Sequence, residues 1–245
     1  MIRTLEFDGL PLWNGTLGDT ADWLVALAAA APAEGAIVTH VNVHNRHELG
    51  RRPELLEALR AHGELIFEGI GMQIGLWLHG GPTVGSVCGT DLFPLVMERA
   101  AREALPVYFL GASDPIAERA ARRTRARWPS LPLVGWRGGY FGEDEEADVV
   151  AEVAASGARL VLIARGCPAQ EEFAVRWRAK LAPAVLWGVG GLLDFVSGRA
   201  MRAPTPLLDA RLEWLFRFGR EPRRLWRRAL VEPPLFLYDV ARRAV

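Results

Sequence analysis

Residues 106–136, PVYFLGASDPIAERAARRTRARWPSLPLVGW, predict a strand, a helix and a second strand in succession. The apolar runs 106–111 and 131–136 have the length of buried strands. Residues 114–128 have a helical pattern, and Asp114 is the predicted N-cap of that helix. A strand, a helix and a strand in this order form a βαβ unit, whose two strands are parallel and covered on both faces.

The same alternation extends over most of the chain. Further strands are predicted at 36–43, 65–67, 158–164 and 183–190, and further helices at 46–62, 91–104, 143–157 and 168–181. We therefore expect an α/β fold, with a mostly parallel sheet and helices on both of its faces. Ligands of such sheets bind beyond the carboxyl ends of the strands, so the residues that follow each strand are the candidates for a site.

Composition narrows the class of protein. Of the 245 residues 50% are hydrophobic, which is enough for a large core. The sequence has no uninterrupted run of about 18 apolar residues that would predict a membrane span. The formal net charge is zero, which argues against a nucleic-acid-binding protein. Two cysteines do not make a disulfide framework, so the expected location is the reducing cytoplasm.

The last part of the chain differs from the rest. We predict two units, an α/β core of residues 1–198 and a helical, arginine- and aromatic-rich C-terminal appendage of residues 199–245. The appendage holds eleven arginines and five acidic residues, a local net charge of +6. Its pattern predicts two or three short helices, broken at 219–222 and at 233–234. Three roles are open: packing as an amphipathic helix pair, binding of a diphosphate, and contact with anionic lipid.

One carboxylate stands at the end of a predicted strand. In LIFEGIGMQIG (65–75), Glu68 follows the strand and precedes Gly69 and Gly71. A residue in this position is often a turn former or a helix cap. The functional alternative is a general base that takes a proton from a hydroxyl, with glycines that let the substrate approach the backbone.

The other strand ends carry weaker signals. HVNVHNRHE (40–48) contains three histidines, but its strand pattern and the lack of a nearby cysteine disfavour a metal site, and a polar pocket edge at Asn42 or His44 is preferred. FLGASDP (109–115) is compatible with an ordinary turn or with a phosphate at a helix N-terminus. GCPAQEE (166–172) and GVGGLLDF (188–195) are compatible with helix caps and loops, or with contacts to a sugar, ribose or base.

Taken in order, the motifs resemble those of the WecG/TagA/CpsF family of bacterial glycosyltransferases. The resemblance covers roughly residues 36–230 and depends on EGIG (68–71), GTDL (89–92), GCPAQE (166–171), GVGGLLDFVSG (188–198), RAP (202–204) and EWLFRFGREPRRLWRR (213–228). The pairing of GxPxQE with DFxxG, RAP and EWLxRxxxEPxR is the specific part. It implies a Rossmann-like core and an appendage that closes over the active site.

The resemblance also implies an activity. Members move a sugar from a UDP-sugar to a polyprenyl-diphosphate-linked saccharide, with inversion, in the synthesis of exopolysaccharide, capsule or teichoic acid. The implied location is peripheral, on the cytoplasmic membrane surface at the inner face of the plasma membrane. No cofactor and no metal are expected, and the sequence has no Asp-x-Asp pair. Glucose, N-acetylmannosamine and a uronic acid are all compatible with the sequence, as is a homo-oligomer.

The family motifs suggest a role for each candidate residue. Glu68 is the expected general base, and Asn42 and His40 are expected to orient the acceptor hydroxyl. The donor pocket is expected to be lined by Gly111, Tyr140, Gln170, Glu171 and Asp194. The acceptor diphosphate is expected to meet Arg217, Arg224 and Arg227.

Two positions depart from the family pattern. The family usually has Asp-Gly where this chain has Glu68-Gly69, and a misplacement of about 1 Å can lower a rate by about 10²-fold. It usually has threonine at the position of His40, and Thr39 would point to the other face of a strand. These departures keep open a catalytically weak or inactive membrane-associated subunit of a polysaccharide assembly complex. A nucleotide-dependent oxidoreductase is disfavoured, because GxGxxG is missing from the first βα turn.

Overall fold

A computed structural model describes residues 4–79 and 85–243 of the chain. Its strands are β1 (Thr4–Phe7), β2 (Leu10–Trp13), β3 (Ala36–Val41), β4 (Gly63–Phe67), β5 (Val107–Gly111), β6 (Leu133–Arg137), β7 (Leu160–Ala164) and β8 (Val185–Gly188). They form one sheet in the order β1-β2-β4-β3-β8-β7-β5-β6. Strand β1 is antiparallel to β2, and the other neighbouring pairs are parallel. The predicted α/β fold with a mostly parallel sheet is confirmed.

Helices connect the strands and follow the last one. They are α1 (Leu17–Ala29), α2 (Val43–Gly50), α3 (Pro53–His62), α4 (Ile70–Leu78), α5 (Gly89–Arg102), α6 (Asp114–Arg127), α7 (Glu146–Ala155), α8 (Ala169–Leu181), α9 (Leu192–Ser197), α10 (Thr205–Asp209), α11 (Glu213–Arg220), α12 (Pro222–Trp226) and α13 (Glu232–Arg243), with a π-helical turn at Arg227–Val231. Within the described ranges, none of these helices is both long enough and apolar enough to cross a membrane.

Each face of the sheet carries a hydrophobic cluster. One cluster joins the sheet to α2, α3, α4, α7, α8 and α13. The other joins it to α1, α5, α6 and α9. Successive side chains of β3 alternate between them, since Ile37 and Val41 belong to the first cluster and Val38 to the second. By the same period of two, the buried side chains of Thr39 and His40 point to opposite faces, as expected.

The N-terminal hairpin and helix α4 were not predicted. Strands β1 and β2 have four residues each, which is too short a run to show a clear period. Helix α4, IGMQIGLWL, is apolar almost all round and therefore lacks the amphipathic pattern that identifies a surface helix.

The predicted N-cap of α6 is wrong by one residue. Ser113 is the N-cap, and Asp114 is the first helical residue. The Oδ1 atom of Asp114 instead accepts a hydrogen bond from the backbone N–H of Gly138 at 3.0 Å. This contact ties the start of α6 to the loop that follows β6.

The appendage has one predicted break and lacks the other. Helix α11 ends at Arg220 and α12 begins at Pro222, which confirms the break there. The break predicted at 233–234 is wrong, because both prolines lie in the first turn of α13. The π-helical turn at Arg227–Val231 leads directly into α13, and the two prolines, which have no N–H to donate, are tolerated in the first turn of that helix.

Helix α13 returns to the core. Val240 is buried in the same hydrophobic cluster as Phe7 and Leu76, and Phe236 packs against that cluster. The rings of Phe236 and Phe7 are 6.1 Å apart between centroids. The appendage therefore covers part of the α/β core, and the two predicted units share this cluster.

Candidate active site

Glu68 lies directly after the carboxyl end of β4, at the edge of the sheet where the parallel strands end. Its backbone N–H donates to the carbonyl of Val41 at 2.9 Å, so it stands beside the end of β3. Its side chain is 28% exposed and can be reached from solvent. Gly69 follows with φ of +91°, and a Cβ placed there would have no neighbour within 4 Å. The glycine thus turns the chain sharply and leaves open space beside the carboxylate.

The turn after Glu68 is fixed by a neighbouring loop. The backbone N–H of Gly69 donates to Oγ of Ser86 at 2.7 Å, and that of Val87 donates to the carbonyl of Phe67 at 3.3 Å. The thiol of Cys88 is close by, and its burial raises its pKa to about 12, with the charge of Glu68 as a smaller cause. Cys88 is therefore a neutral thiol at physiological pH and does not compete with Glu68 as a base.

His40 lies between Glu68 and the interior. Its Nδ1 atom is 3.3 Å from Oε2 of Glu68, and its Nε2 atom accepts a hydrogen bond from Nε1 of Trp187 at 3.1 Å. The residue is 5% exposed. Burial lowers the pKa of His40, and the opposing effect of the Glu68 charge is smaller. The imidazole is therefore neutral at physiological pH.

Asn42 caps helix α2 at the same edge of the sheet. Its Oδ1 atom accepts a hydrogen bond from the backbone N–H of Asn45 at 2.9 Å. Asn45 in turn donates its side-chain amide to the carbonyl of His40 at 2.6 Å. The cap fixes the carboxamide of Asn42 one residue beyond β3, and its role toward a substrate stays a prediction.

Gln170 and Glu171 form a buried polar network on the opposite face of the sheet. Oε1 of Glu171 accepts hydrogen bonds from Thr39 at 2.6 Å and from Nε2 of Gln170 at 2.8 Å. Oε1 of Gln170 accepts from the backbone N–H of Gly190 at 2.8 Å. Both residues were expected to line the donor pocket. They are only 1–2% exposed, and neither faces an open crevice. Through Gln170, the first turn of α8 is thus hydrogen-bonded to the loop that follows β8.

Burial has two consequences for this network. It raises the pKa of Glu171, although hydrogen bonds from Thr39, Gln170 and the thiol of Cys167 act in the other direction. The network also explains Gly188. A Cβ there would lie 2.9 Å from Nε2 of Gln170 and 3.0 Å from Oγ1 of Thr39.

Gly111 and Tyr140 lie at the far half of the sheet. Gly111 is the last residue of β5, with φ of +143°, and a Cβ there would lie 2.4 Å from the carbonyl oxygen of Ala164. Tyr140 is 88% exposed. It lines an open depression of about 290 Å³ together with Asp114, Trp136, Arg137, Gly138, Phe141, Glu145 and Glu152. The donor roles of Gly111 and Tyr140 stay predictions.

Asp194 lies in the first turn of α9, and its carboxylate pairs with Arg199 at 3.2 Å. One residue further, the ring of Phe195 carries the guanidinium of Arg217, whose central carbon is 5.4 Å from the ring centroid. Helix α11 of the appendage thus contacts α9 through Arg217, at the residue that follows the predicted donor residue Asp194.

The other two predicted arginines have partners within the appendage. Arg224 pairs with Glu221 at 2.5 Å, and Arg227 stacks over Trp226 at 5.1 Å. Arg228, which was not predicted, joins Arg217 and Arg224. Although Arg228 is exposed overall, the atoms packed around its guanidinium lower its pKa, and the charges of Arg217 and Arg224 lower it further. The appendage therefore concentrates positive charge.

Polar contacts also hold the appendage to the core, among them one from Arg211 to the side chain of Gln73 on α4. Arg202 donates to Asp91 at the start of α5 and to Glu213 of α11. Glu232 of α13 pairs with Nδ1 of His44 at 2.9 Å. Arg202 belongs to RAP and Asp91 to GTDL, but nothing in the sequence indicates that these two motifs meet.

Sequence reasoning missed Trp187, the partner of His40. The signal was present in the register of two parallel strands, because Val38 of β3 is paired with Trp187 of β8. Side chains at paired positions share a face of the sheet, so Trp187 and His40 lie on the same side. The described residues contain no group of three or more His, Cys, Asp or Glu side chains that could hold a metal ion.

Comparisons with known proteins agree with the family resemblance of the sequence motifs, and they extend it over nearly the whole chain. The model of the glycosyl transferase WecG/TagA/CpsF family matches residues 5–245. An N-acetylglucosaminyldiphosphoundecaprenol N-acetyl-beta-D-mannosaminyltransferase from Bacillus spizizenii is 30% identical over 200 residues. The alignment covers 82% of this chain and 77% of that relative.

Proposed function

Because the chain belongs to the WecG/TagA/CpsF family of glycosyltransferases, we propose that it moves a sugar, with inversion, from a UDP-sugar to a polyprenyl-diphosphate-linked saccharide. The chain is a glycosyltransferase, and the resemblance found in its motifs is confirmed. The donor class, the inversion and the residue roles are the proposal. One observation supports it most: Glu68 is a solvent-accessible carboxylate at the carboxyl end of the sheet, beside Asn42 and His40.

The proposed reaction is a single displacement. Glu68 takes the proton of the acceptor hydroxyl as that oxygen attacks the anomeric carbon of the donor sugar. The bond between this carbon and the diphosphate oxygen breaks, and UDP leaves with the electron pair. Asn42 donates a side-chain amide N–H to the acceptor, and the open space beside Gly69 admits the sugar.

The phosphates meet positive charge from the appendage. Arg217, Arg224 and Arg227 bind the acceptor diphosphate, because guanidinium groups match phosphate oxygens in geometry and charge. Gly111, Tyr140 and Asp194 contact the donor, while Gln170 and Glu171 support the loops around it from below. The relative acts on a lipid-linked N-acetylglucosamine, as its name states, so the proposed acceptor for this chain is of that type, in the synthesis of a cell-surface polymer.

A membrane surface supplies the lipid-linked acceptor. Helix α4 begins two residues after Glu68 and exposes an apolar face, which we name the α4 stripe: Ile70, Ile74, Trp77 and Leu78, with Trp77 74% exposed. These positions share one side of a helix. Helix α13 packs beside α4 and adds exposed Leu235 and Tyr238. Apolar side chains beside arginines are the pattern of a peripheral protein on anionic lipid, here on the cytoplasmic face.

The test is a pair of substitutions at one carboxylate. With UDP-N-acetylmannosamine as the first donor and undecaprenyl-diphosphate N-acetylglucosamine as the first acceptor, we expect Glu68→Gln to lower kcat by about 10²–10⁴-fold. Glu68→Asp keeps the carboxylate and is expected to retain more activity than Glu68→Gln. Binding of UDP by calorimetry shows that each variant is folded.

Two outcomes would refute parts of the proposal. Full turnover in Glu68→Gln would remove Glu68 as the base. UDP binding without transfer in the unmodified protein, over a panel of UDP-sugars and lipid-linked acceptors, would favour the inactive subunit of an assembly complex.

A further inference from the structure

The hydrogen bond from Trp187 determines which nitrogen of His40 carries the proton. An indole N–H can only donate, so Nε2 of His40, which is 3.1 Å from Nε1 of Trp187, must accept. An imidazole that is neutral and accepts at Nε2 carries its proton on Nδ1. That N–H lies on the side of Glu68, whose Oε2 is 3.3 Å from Nδ1.

We propose that Trp187 and His40 form a buried relay that positions the carboxylate of Glu68 for catalysis, with Nδ1–H of His40 donating to Oε2. The inference rests on the proposed role of Glu68 as the base. With Oε2 held by His40, Oε1 is the oxygen that takes the proton of the acceptor. His40 acts through Glu68 and does not touch the substrate, which replaces its expected role in orienting the acceptor.

The contact between His40 and Glu68 is an electrostatic one in this conformation. The two atoms are within ion-pair distance, but Nδ1 does not meet the geometry of a hydrogen bond to Glu68. The backbone of Val87 is a further hydrogen-bonding neighbour of the ring, and like the charge of Glu68 it acts to raise the pKa of His40. A buried N–H that is not fully hydrogen-bonded is costly. The side chain of Glu68 is 28% exposed, so a bound acceptor can reach Oε1, and a small rotation of the carboxylate would align Oε2 with the N–H.

His40 itself is unsuited to be the base. Its Nε2 lone pair is engaged by Trp187, its Nδ1 already carries a proton, and the residue is 5% exposed. A Cβ on Gly89, at the start of α5, would lie 3.6 Å from Nε2, so this side of the ring is closed by backbone as well. The geometry therefore assigns proton transfer to Glu68 and its positioning to His40.

Two substitutions of His40 test the hydrogen bonds of Nδ1 and Nε2 separately. In His40→Asn the side-chain amide takes the place of Nδ1 and keeps a donor toward Glu68. In His40→Gln the amide takes the place of Nε2, so its oxygen accepts from Trp187 while the donor toward Glu68 is lost. We expect His40→Gln to lower kcat by about 10- to 100-fold with little change in the KM of the donor, and His40→Asn to recover most of that loss. His47→Gln, at an exposed histidine outside the site, is the control.

A spectroscopic measurement tests the relay without any substrate. Long-range ¹H–¹⁵N spectra report the tautomer of each of the five histidines, and the signal lost in His40→Asn identifies His40. We expect a neutral ring with its proton on Nδ1, and in Trp187→Phe a mixture of tautomers together with an altered pH profile of kcat.

These experiments overturn the relay in two ways. A proton on Nε2 of His40 in the unmodified protein excludes it, even if Glu68→Gln is inactive. Undiminished kcat in a folded His40→Gln excludes it as well. Conversely, full activity of Glu68→Gln together with the Nδ1–H tautomer would refute the proposed base, while the hydrogen bond between Trp187 and His40 would stand.

Discussion

His40 and Glu68 meet at 3.3 Å across the carboxyl ends of β3 and β4. His40 is paired with Ile66 in the parallel register, and Glu68 lies two residues further on the same face. These are also the two positions at which the chain departs from the family pattern. The departures lie in contact with each other, which is the reason for proposing that the longer carboxylate and the histidine act as a pair.

The first prediction concerns the close approach of β5 and β7. We expect Gly111→Ala to lower the free energy of unfolding by about 2–4 kcal/mol, from left-handed strain and from the overlap of its Cβ with the carbonyl of Ala164. Gly157→Ala is the matched control, since φ is +70° there but no atom lies within 4 Å of the Cβ. We expect strain alone there, about 1–2 kcal/mol. Urea unfolding measures both, and equal losses would contradict the overlap.

Much of the fold was predictable because its signals are local. Strands such as β7 and helices such as α5 have the length and periodicity that sequence patterns report, and Glu68 stood out because a charged residue ended an apolar run. The neighbours of Glu68 across the sheet were not predictable. Trp187 reaches His40 only through the strand order, which joins β3 to β8 although they are distant in sequence. Burial of Gln170 and Glu171 likewise depends on packing between loops.

The second prediction uses the buried carboxyl of Glu171. Its pKa in the folded protein is raised by burial above the 4.5 of an ordinary glutamate, so the folded state binds more protons than the unfolded state above about pH 4.5. Stability is therefore lost as the pH rises from there through the folded pKa. Glu171→Gln removes this pH-dependent loss of stability, because the amide resembles the protonated acid and does not ionise. We expect the variant to gain stability relative to the unmodified protein as the pH rises from 4.5 to 8.

Urea unfolding at several pH values measures this difference. Glu118→Gln, at an exposed position on α6, is the control for the loss of one carboxylate. His40 adds a slope of the opposite sign to both proteins, because its lowered pKa makes stability fall as the pH drops below 6.5. It cancels in the comparison. A gap between Glu171→Gln and the unmodified protein that does not widen with pH would show that Glu171 is ionised when folded.

The third prediction concerns the α4 stripe. We expect Trp77→Ser to weaken binding to vesicles that contain anionic lipid by about 10-fold or more, because burial of a large apolar side chain contributes about 1.5–3 kcal/mol. Val134→Ser removes a hydrophobic side chain that is 41% exposed on β6, at the opposite edge of the sheet, and should bind as the unmodified protein does. Vesicle flotation measures both. Equal binding by the two variants would place the membrane contact elsewhere.

The fourth prediction concerns the arginines of the appendage. Hydrogen bonds between charged groups contribute about 1.5–3 kcal/mol, so we expect Arg217→Ala, Arg224→Ala and Arg227→Ala each to raise the KM of the lipid-linked acceptor by about 10- to 100-fold. The KM of the UDP-sugar should change much less. Arg122→Ala, an exposed arginine on α6, is the control for loss of one positive charge.

A change of acceptor separates binding of the diphosphate from a general attraction of the arginines to lipid. A water-soluble acceptor with a short lipid and the same diphosphate should show the same rise in KM, measured without vesicles. If the variants lose activity only when vesicles are present, the arginines contact the membrane and not the diphosphate. We expect this outcome first for Arg227, because its guanidinium stacks on Trp226. Arg217 lies over Phe195, next to Asp194 in the chain, and its substitution should raise the KM in both assays.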